Sequence, residues 1–262
     1  MDCRNAPSVG SSGAPLRPAL YRQYRPAVGG GPLSPKVYWF RLDDEWSEER
    51  LNGWLIPEER ERCRRLVFDH HRRRQLVACA ALRQLLSLHL RRPASELRWE
   101  KAAHGKPYLA DGSCHFNLTH SENVAALAVS SQELGLDVED RTRRVEYLAL
   151  GKRFFAAPEA AELERSADPR HFFFEVWTAK EAYIKALGDG LTHPLDQFLT
   201  RYQGRWGLFD LRGQVLPWHL SRPLCPFPET SAALASREPG PPECFLLTAA
   251  GELAALPVAS GR

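Results

Sequence analysis

Four stretches of the chain carry a rhythm of apolar and polar positions strong enough to assign. Val37-Tyr38-Trp39-Phe40-Arg41-Leu42 is aromatic and β-branched, which predicts a strand, and the acidic segment after it reads as the start of a short helix. From Arg72 to Arg92, Leu82, Leu86 and Leu90 recur at four-residue spacing with Arg83 and Ser87 off the stripe; this predicts an amphipathic core helix, capped by Asp69 and stopped by Pro93. Val124 to Val129 is a short apolar run, Ser130 to Glu133 is polar and Leu134 to Glu139 alternates, a pattern that predicts a β-hairpin. In its second limb Leu134, Leu136 and Val138 share one face, so Gly135, Asp137 and Glu139 share the other. Over residues 172 to 187, Phe172, Val176, Ala179, Tyr183 and Ala186 form the stripe of a helix that Gly188 ends. Beyond residue 200 short strands are predicted, with a proline-interrupted loop from Pro223 to Pro242. Residues 1 to 35, rich in Pro, Gly and Ser, read as a disordered extension.

Length and composition narrow the class. At 262 residues and 44% hydrophobic, the chain can bury a core as one large domain or two small ones closely joined. No run reaches the roughly 18 apolar residues of a membrane span, and the start lacks the apolar stretch of a secretory signal, so a cytoplasmic protein is expected. The six cysteines (Cys3, Cys63, Cys79, Cys114, Cys225 and Cys244) form no C-x-x-C pair, which argues for reduced thiols over a zinc site or a disulfide framework. A net charge of +3 is too small to argue for nucleic acid. Arg60, Arg62, Arg64, Arg65, Arg72, Arg73 and Arg74 are nevertheless concentrated in one segment, which suits either an anion site or a solvated helix surface.

Asp137 and Glu139 stand one residue apart on the polar face of a strand, roughly 6 to 7 Å apart at their backbones, where both can reach one hard cation. Magnesium suits such oxygen ligands and completes its shell with substrate phosphate. Taken alone, D-x-E is more often a pair of surface carboxylates at a strand edge. Glu181 and Lys185 lie four apart on one helix face with Trp177 a turn earlier on the same line, either a surface ion pair or a third metal ligand beside a counter-charge for phosphate. His120, in Phe116-Asn117-Leu118-Thr119-His120-Ser121, stands where a turn could present it to an anion. Gly105-Lys106-Pro107-Tyr108 reads as a turn into a short strand, with Lys106 a candidate anion contact.

In order and spacing these segments resemble the Sfp-type 4'-phosphopantetheinyl transferases, from about residue 57 to residue 198. Gly105-Lys106-Pro107, the histidine segment, Gly135-Leu136-Asp137-Val138-Glu139, and Trp177-Thr178-Ala179-Lys180-Glu181-Ala182-Tyr183-Ile184-Lys185 followed by Gly190-Leu191 carry the resemblance. It implies an α+β fold of two similar subdomains, residues 36–132 and 133–262, related by a pseudo-two-fold axis with coenzyme A in the cleft between them. It implies that Asp137, Glu139 and Glu181 bind magnesium, with Glu181 and Lys185 catalytic. Thr119 and His120 would contact coenzyme A, Lys106 and Pro107 its adenine, Arg62 and Arg74 its 3'-phosphate, and Lys180 and Lys185 its pyrophosphate. Thr119 stands where Ser is common, and Glu59 where some relatives carry a basic residue. The implied reaction moves the phosphopantetheine arm of coenzyme A onto a serine of an acyl or peptidyl carrier protein. A monomer is implied, with no nucleic-acid or membrane partner. Two competing readings are a magnesium-dependent nuclease and a non-catalytic binding module on the same scaffold.

Overall fold

A computed structural model describes residues 34–257. The predicted extension, residues 1–35, lies outside the described residues but for its last two. The elements in order are β1 (Lys36–Arg41), α1 (Glu48–Trp54), α2 (Pro57–Arg64), α3 (Asp69–Leu90), β2 (Trp99–Lys101), β3 (Pro107–Leu109), β4 (His115–Ser121), β5 (Val124–Ser130) and β6 (Leu134–Asp140). There follow α4 (Tyr147–Phe154), α5 (Ala157–Arg165), α6 (Pro169–Leu187), β7 (Leu199–Tyr202), β8 (Arg205–Phe209), β9 (His219–Ser221), β10 (Thr230–Ser236), β11 (Glu243–Leu247) and β12 (Leu253–Ala255). The mixed α+β class is the one expected.

Two sheets organise the chain. The first has the order β12-β11-β1-β5-β4, antiparallel except where β1 and β11 run parallel; the second has the order β6-β10-β9. Alternation along β1 serves two layers: Tyr38 and Phe40 pack towards α3, while Val37 and Trp39 meet Leu134, Leu136 and Val138 of β6. A third cluster seats α6 on β10 through Ala179, Ala182 and Tyr183 against Ala233 and Ala235.

The structure departs from the expectations at particular places. Residues 124–139 are not a hairpin, because β5 already has β4 and β1 on its two edges, so the chain crosses at Ser131–Glu133 to start the second sheet. The true hairpin is β4–β5, turning at Glu122, whose φ is +49°. The predicted loop 223–242 contains β10, which pairs along the whole of β6; prolines at both ends of that stretch hid a strand of small residues. Within α3, Arg83 and Ser87 are buried rather than facing water, since the Arg83 guanidinium pairs with buried Glu59 at 2.6 Å and donates to the Ala94 carbonyl. Asp69 is the first residue of that helix, and Phe68 takes the cap position. The last two strands, β11 and β12, join the first sheet, so the division 36–132 and 133–262 does not follow the sheets at the C-terminal end.

Candidate active site

The site begins with a glycine. Gly135 lies so close beneath α6 that a Cβ there would sit 2.2 Å from the Ala182 carbonyl oxygen and 2.2 Å from the Ala186 nitrogen. This approach seats the helix directly on the strand that carries Asp137 and Glu139. Helix α6 is fixed at both ends: Asp168 accepts the His171 N–H at 2.9 Å, Pro169 follows it in the first turn, and Gly188 closes the helix at φ +82°. Trp177, Glu181 and Lys185, on one line of that helix, therefore face the strand's carboxylates. The result is a cleft of about 390 Å³ lined by Thr119, His120, Ser121 and Glu122, by Asp137, Val138 and Glu139, and by Arg143, Trp177, Glu181 and Lys185.

Charge is dense there. Asp137 is 4% exposed, and burial raises its pKa even though Lys185 pulls it down. Lys185 Nζ lies 2.5 Å from Asp137 Oδ1 and donates to Thr119 Oγ1 at 3.1 Å. Burial works against the Lys185 charge, but Asp137, Glu181 and Glu139 raise its pKa on balance. Glu139 accepts from Arg143 at 2.5 Å and from Ser121 Oγ at 2.8 Å. Glu181 is pushed up to about 7, first by burial and then by the nearby Asp137 and Glu139 charges, with Lys185 opposing. His120 is held below its usual range by desolvation and by the Lys185 and Arg74 cations.

Among the described residues no group of three or more acidic, histidine or cysteine side chains is drawn together tightly enough to hold an ion as it stands. The three carboxylates line one cleft, but the protein's own cations lie against two of them, Lys185 on Asp137 and Arg143 on Glu139. Asp137 Oδ2 is buried with no hydrogen-bond partner among the described residues. A bare, desolvated carboxylate oxygen beside two further carboxylates is a donor set that suits a hard divalent cation.

Other expected contacts fall elsewhere. Lys180 does not face the cleft: its ammonium is wholly buried, 2.7 Å from Glu159 Oε2, and donates to the Leu195 and Phe198 carbonyls. One helical step from Glu181 rotates it about 100° off the Trp177–Glu181–Lys185 line. Lys106 donates to the Leu134 and Ala186 carbonyls at 2.9 and 3.0 Å, tying the start of β6 to the end of α6, and burial lowers it to about 8. Neither Lys106 nor Pro107 lines the cleft. Arg62 reaches towards Cys79 Sγ and is also outside the lining. Arg74 donates to Asn123 Oδ1 at 2.6 Å in the β4–β5 turn, beside His120. Sequence reasoning missed Ser121 and Arg143 as contacts of Glu139; the alternation of β4, which puts Ser121 two residues after Thr119, was the available signal.

A protein-family model described as "4'-phosphopantetheinyl transferase, N-terminal" matches residues 38–132, and one described as "4'-phosphopantetheinyl transferase superfamily" matches residues 133–222. The 4'-phosphopantetheinyl transferase Sfp of Bacillus subtilis is 33% identical over 172 residues, 63% of this chain and 76% of its own length. The 4'-phosphopantetheinyl transferase HetI of Nostoc is 35% identical over 170 residues, 61% of this chain and 71% of its own. The Homo sapiens L-aminoadipate-semialdehyde dehydrogenase-phosphopantetheinyl transferase is 28% identical over 187 residues, 63% of this chain and 60% of its own. The chain belongs to the 4'-phosphopantetheinyl transferase superfamily. Within it the chain is of the Sfp type, an enzyme that transfers phosphopantetheine from coenzyme A to a carrier protein; these matches give no support to a nuclease or a non-catalytic module. Among the described residues no helix is long and apolar enough to cross a membrane, and Cys63, Cys79, Cys114, Cys225 and Cys244 are free thiols.

Proposed function

We propose that Asp137, Glu139 and Glu181 hold a magnesium ion at this cleft and that Glu181 and Lys185 carry the proton and charge of phosphoryl transfer. One observation supports this above the others: Glu181 shares a cleft with two strand-borne carboxylates and responds to both, while Asp137 keeps a buried oxygen without a partner. Bound there, the metal would supply positive charge to the pyrophosphate oxygens of coenzyme A.

The remaining steps belong to the chain. The serine hydroxyl of the carrier attacks the β-phosphorus of coenzyme A, the bond to the bridging oxygen breaks, and adenosine 3',5'-bisphosphate leaves. Glu181 accepts the serine proton. Lys185 turns from Asp137 to the transferred phosphoryl group, and Arg143 releases Glu139. His120, Thr119 and Arg74 meet the phosphates of coenzyme A at the β4 rim, and Lys106 acts as a clasp between β6 and α6. In this reading the halves are similar subdomains related by a pseudo-two-fold axis, coenzyme A lies between them, and the enzyme works as a cytoplasmic monomer. An acidic carrier would be steered by the arginines beside the cleft, so added salt slows encounter.

The test is the mass of a purified apo-carrier protein incubated with enzyme and coenzyme A. A gain of one phosphopantetheine that EDTA abolishes and Mg²⁺ restores supports the reading. Full transfer in EDTA would remove the metal from it.

A further inference from the structure

The open edge of β6 is closed by side chains and not by another strand. In its own sheet β6 pairs only with β10, and β4 is likewise the last strand of the first sheet, so the two edges meet without a backbone ladder. In place of a ladder, Asn117 Oδ1 accepts the Leu136 N–H at 2.7 Å and Ser121 Oγ accepts the Asp140 N–H at 3.0 Å. Both bonds span 19 residues of sequence, which makes β4 and β6 parallel neighbours in constant register. Asn117 and Ser121 share a face of β4 with Thr119, which lies 3.5 Å from Asp137 Oδ1.

The two captured amides bracket the Asp137-Val138-Glu139 tripeptide. A ladder would hold neighbouring strands about 4.8 Å apart and would seal the seam; a side-chain bridge reaches further and leaves room for a cleft beside it. It also makes the placement of that tripeptide depend on two particular side chains, because a buried amide that loses its acceptor is costly and will move to find another. Ser121 acts at a second point, donating to Glu139 Oε2 at 2.8 Å and so fixing the carboxylate's orientation as well as its backbone.

We propose that Asn117 and Ser121 are positioning residues: by anchoring the amides on either side of the acidic pair, they set the spacing at which Asp137 and Glu139 meet a divalent cation. This rests on the metal reading above. Both act through the Asp137-Val138-Glu139 segment.

Binding of Mn²⁺ followed by the electron-paramagnetic signal of the free ion tests the inference without turnover, in the full chain and in Asn117→Leu, Ser121→Ala and Ser121→Thr. Expected is a loss of about tenfold or more in Mn²⁺ affinity for Asn117→Leu and Ser121→Ala, with Ser121→Thr, which keeps the hydroxyl, close to wild type. In steady-state assays the half-saturating metal concentration should rise by the same factor, while kcat at saturating metal falls less. Should Asn117→Leu fail to fold, the Ser121 pair decides. Wild-type Mn²⁺ affinity in both Asn117→Leu and Ser121→Ala, or a Ser121→Thr protein as impaired as Ser121→Ala, overturns the inference. A wild type that binds no Mn²⁺ overturns the metal reading and the inference with it.

Discussion

Lys185 Nζ rests between Asp137 Oδ1 at 2.5 Å and Thr119 Oγ1 at 3.1 Å, so a single ammonium joins α6 to β6 and β4. It opposes the burial that raises the pKa of this carboxylate. Lys185→Met should therefore destabilise the protein by roughly 1 to 3 kcal/mol, less than for a fully enclosed pair because the lysine is partly exposed. Turnover should drop on the order of 100-fold. Urea unfolding and the rate of carrier modification measure the two effects; unchanged values for both would separate this lysine from the site.

Glu181 is held in the opposite sense, strained by its neighbours. Its pKa in the folded state is about 7 against an ordinary 4.5, so the native state binds the extra proton between those values and the group costs stability as pH rises through them. Glu181→Gln should abolish most turnover, by about 100-fold or more, yet raise stability by about 1 to 3 kcal/mol above pH 7. That advantage should shrink on acidification and vanish below about pH 4.5, where both states are protonated. Unfolding midpoints compared at pH 8 and pH 4 give the answer, and a variant less stable than wild type at pH 8 would contradict the assignment.

Lys180 and Glu159 form a pair sealed from water, with Glu159 also accepting from the Thr200 amide and hydroxyl. Lys180→Met leaves that carboxylate buried without its counter-charge and should cost about 3 to 5 kcal/mol. A Lys180→Met, Glu159→Leu double variant should recover much of the loss. Its kcat per folded molecule should match wild type, since neither side chain reaches the cleft. A kcat deficit persisting in a stable double variant would return Lys180 to the pyrophosphate.

Gly135→Ala places a methyl group where two backbone atoms of α6 already stand at 2.2 Å. Neither can yield without moving the helix. The variant should lose about 3 kcal/mol of stability, with activity falling further than the unfolded fraction explains because Glu181 and Lys185 shift away from Asp137. Circular dichroism melts with assays on the folded fraction would show this; a fully active, fully stable variant would mean that the close approach is not required.

Local periodicity disclosed much of the site. Period two across Leu134 to Glu139 put both carboxylates on one face, and period 3.6 from Phe172 to Ala186 put Glu181 and Lys185 on another, as the fold has them. What it could not disclose was long-range partnership. Strand β10 was invisible as the partner of β6 because alanine and serine carry little strand signal and prolines surround them. Arg83 lies off the leucine stripe, and its burial is not legible locally because its partner, Glu59, lies 24 positions earlier and only the packed helices bring them together. The resemblance places Lys180 at the pyrophosphate, but its own angular position on the helix turns it to the interior, against Glu159. Ser130 to Glu133 looked like a hairpin turn because nothing local says that both edges of β5 are already taken.

The parallel pairing of β1 with β11 places residue 36 beside residue 243. During synthesis β1 leaves the ribosome about 200 residues before the strand that completes its edge, and that side of the sheet waits unfinished for the interval. Loss of β11 would thus injure the sheet that β1 began.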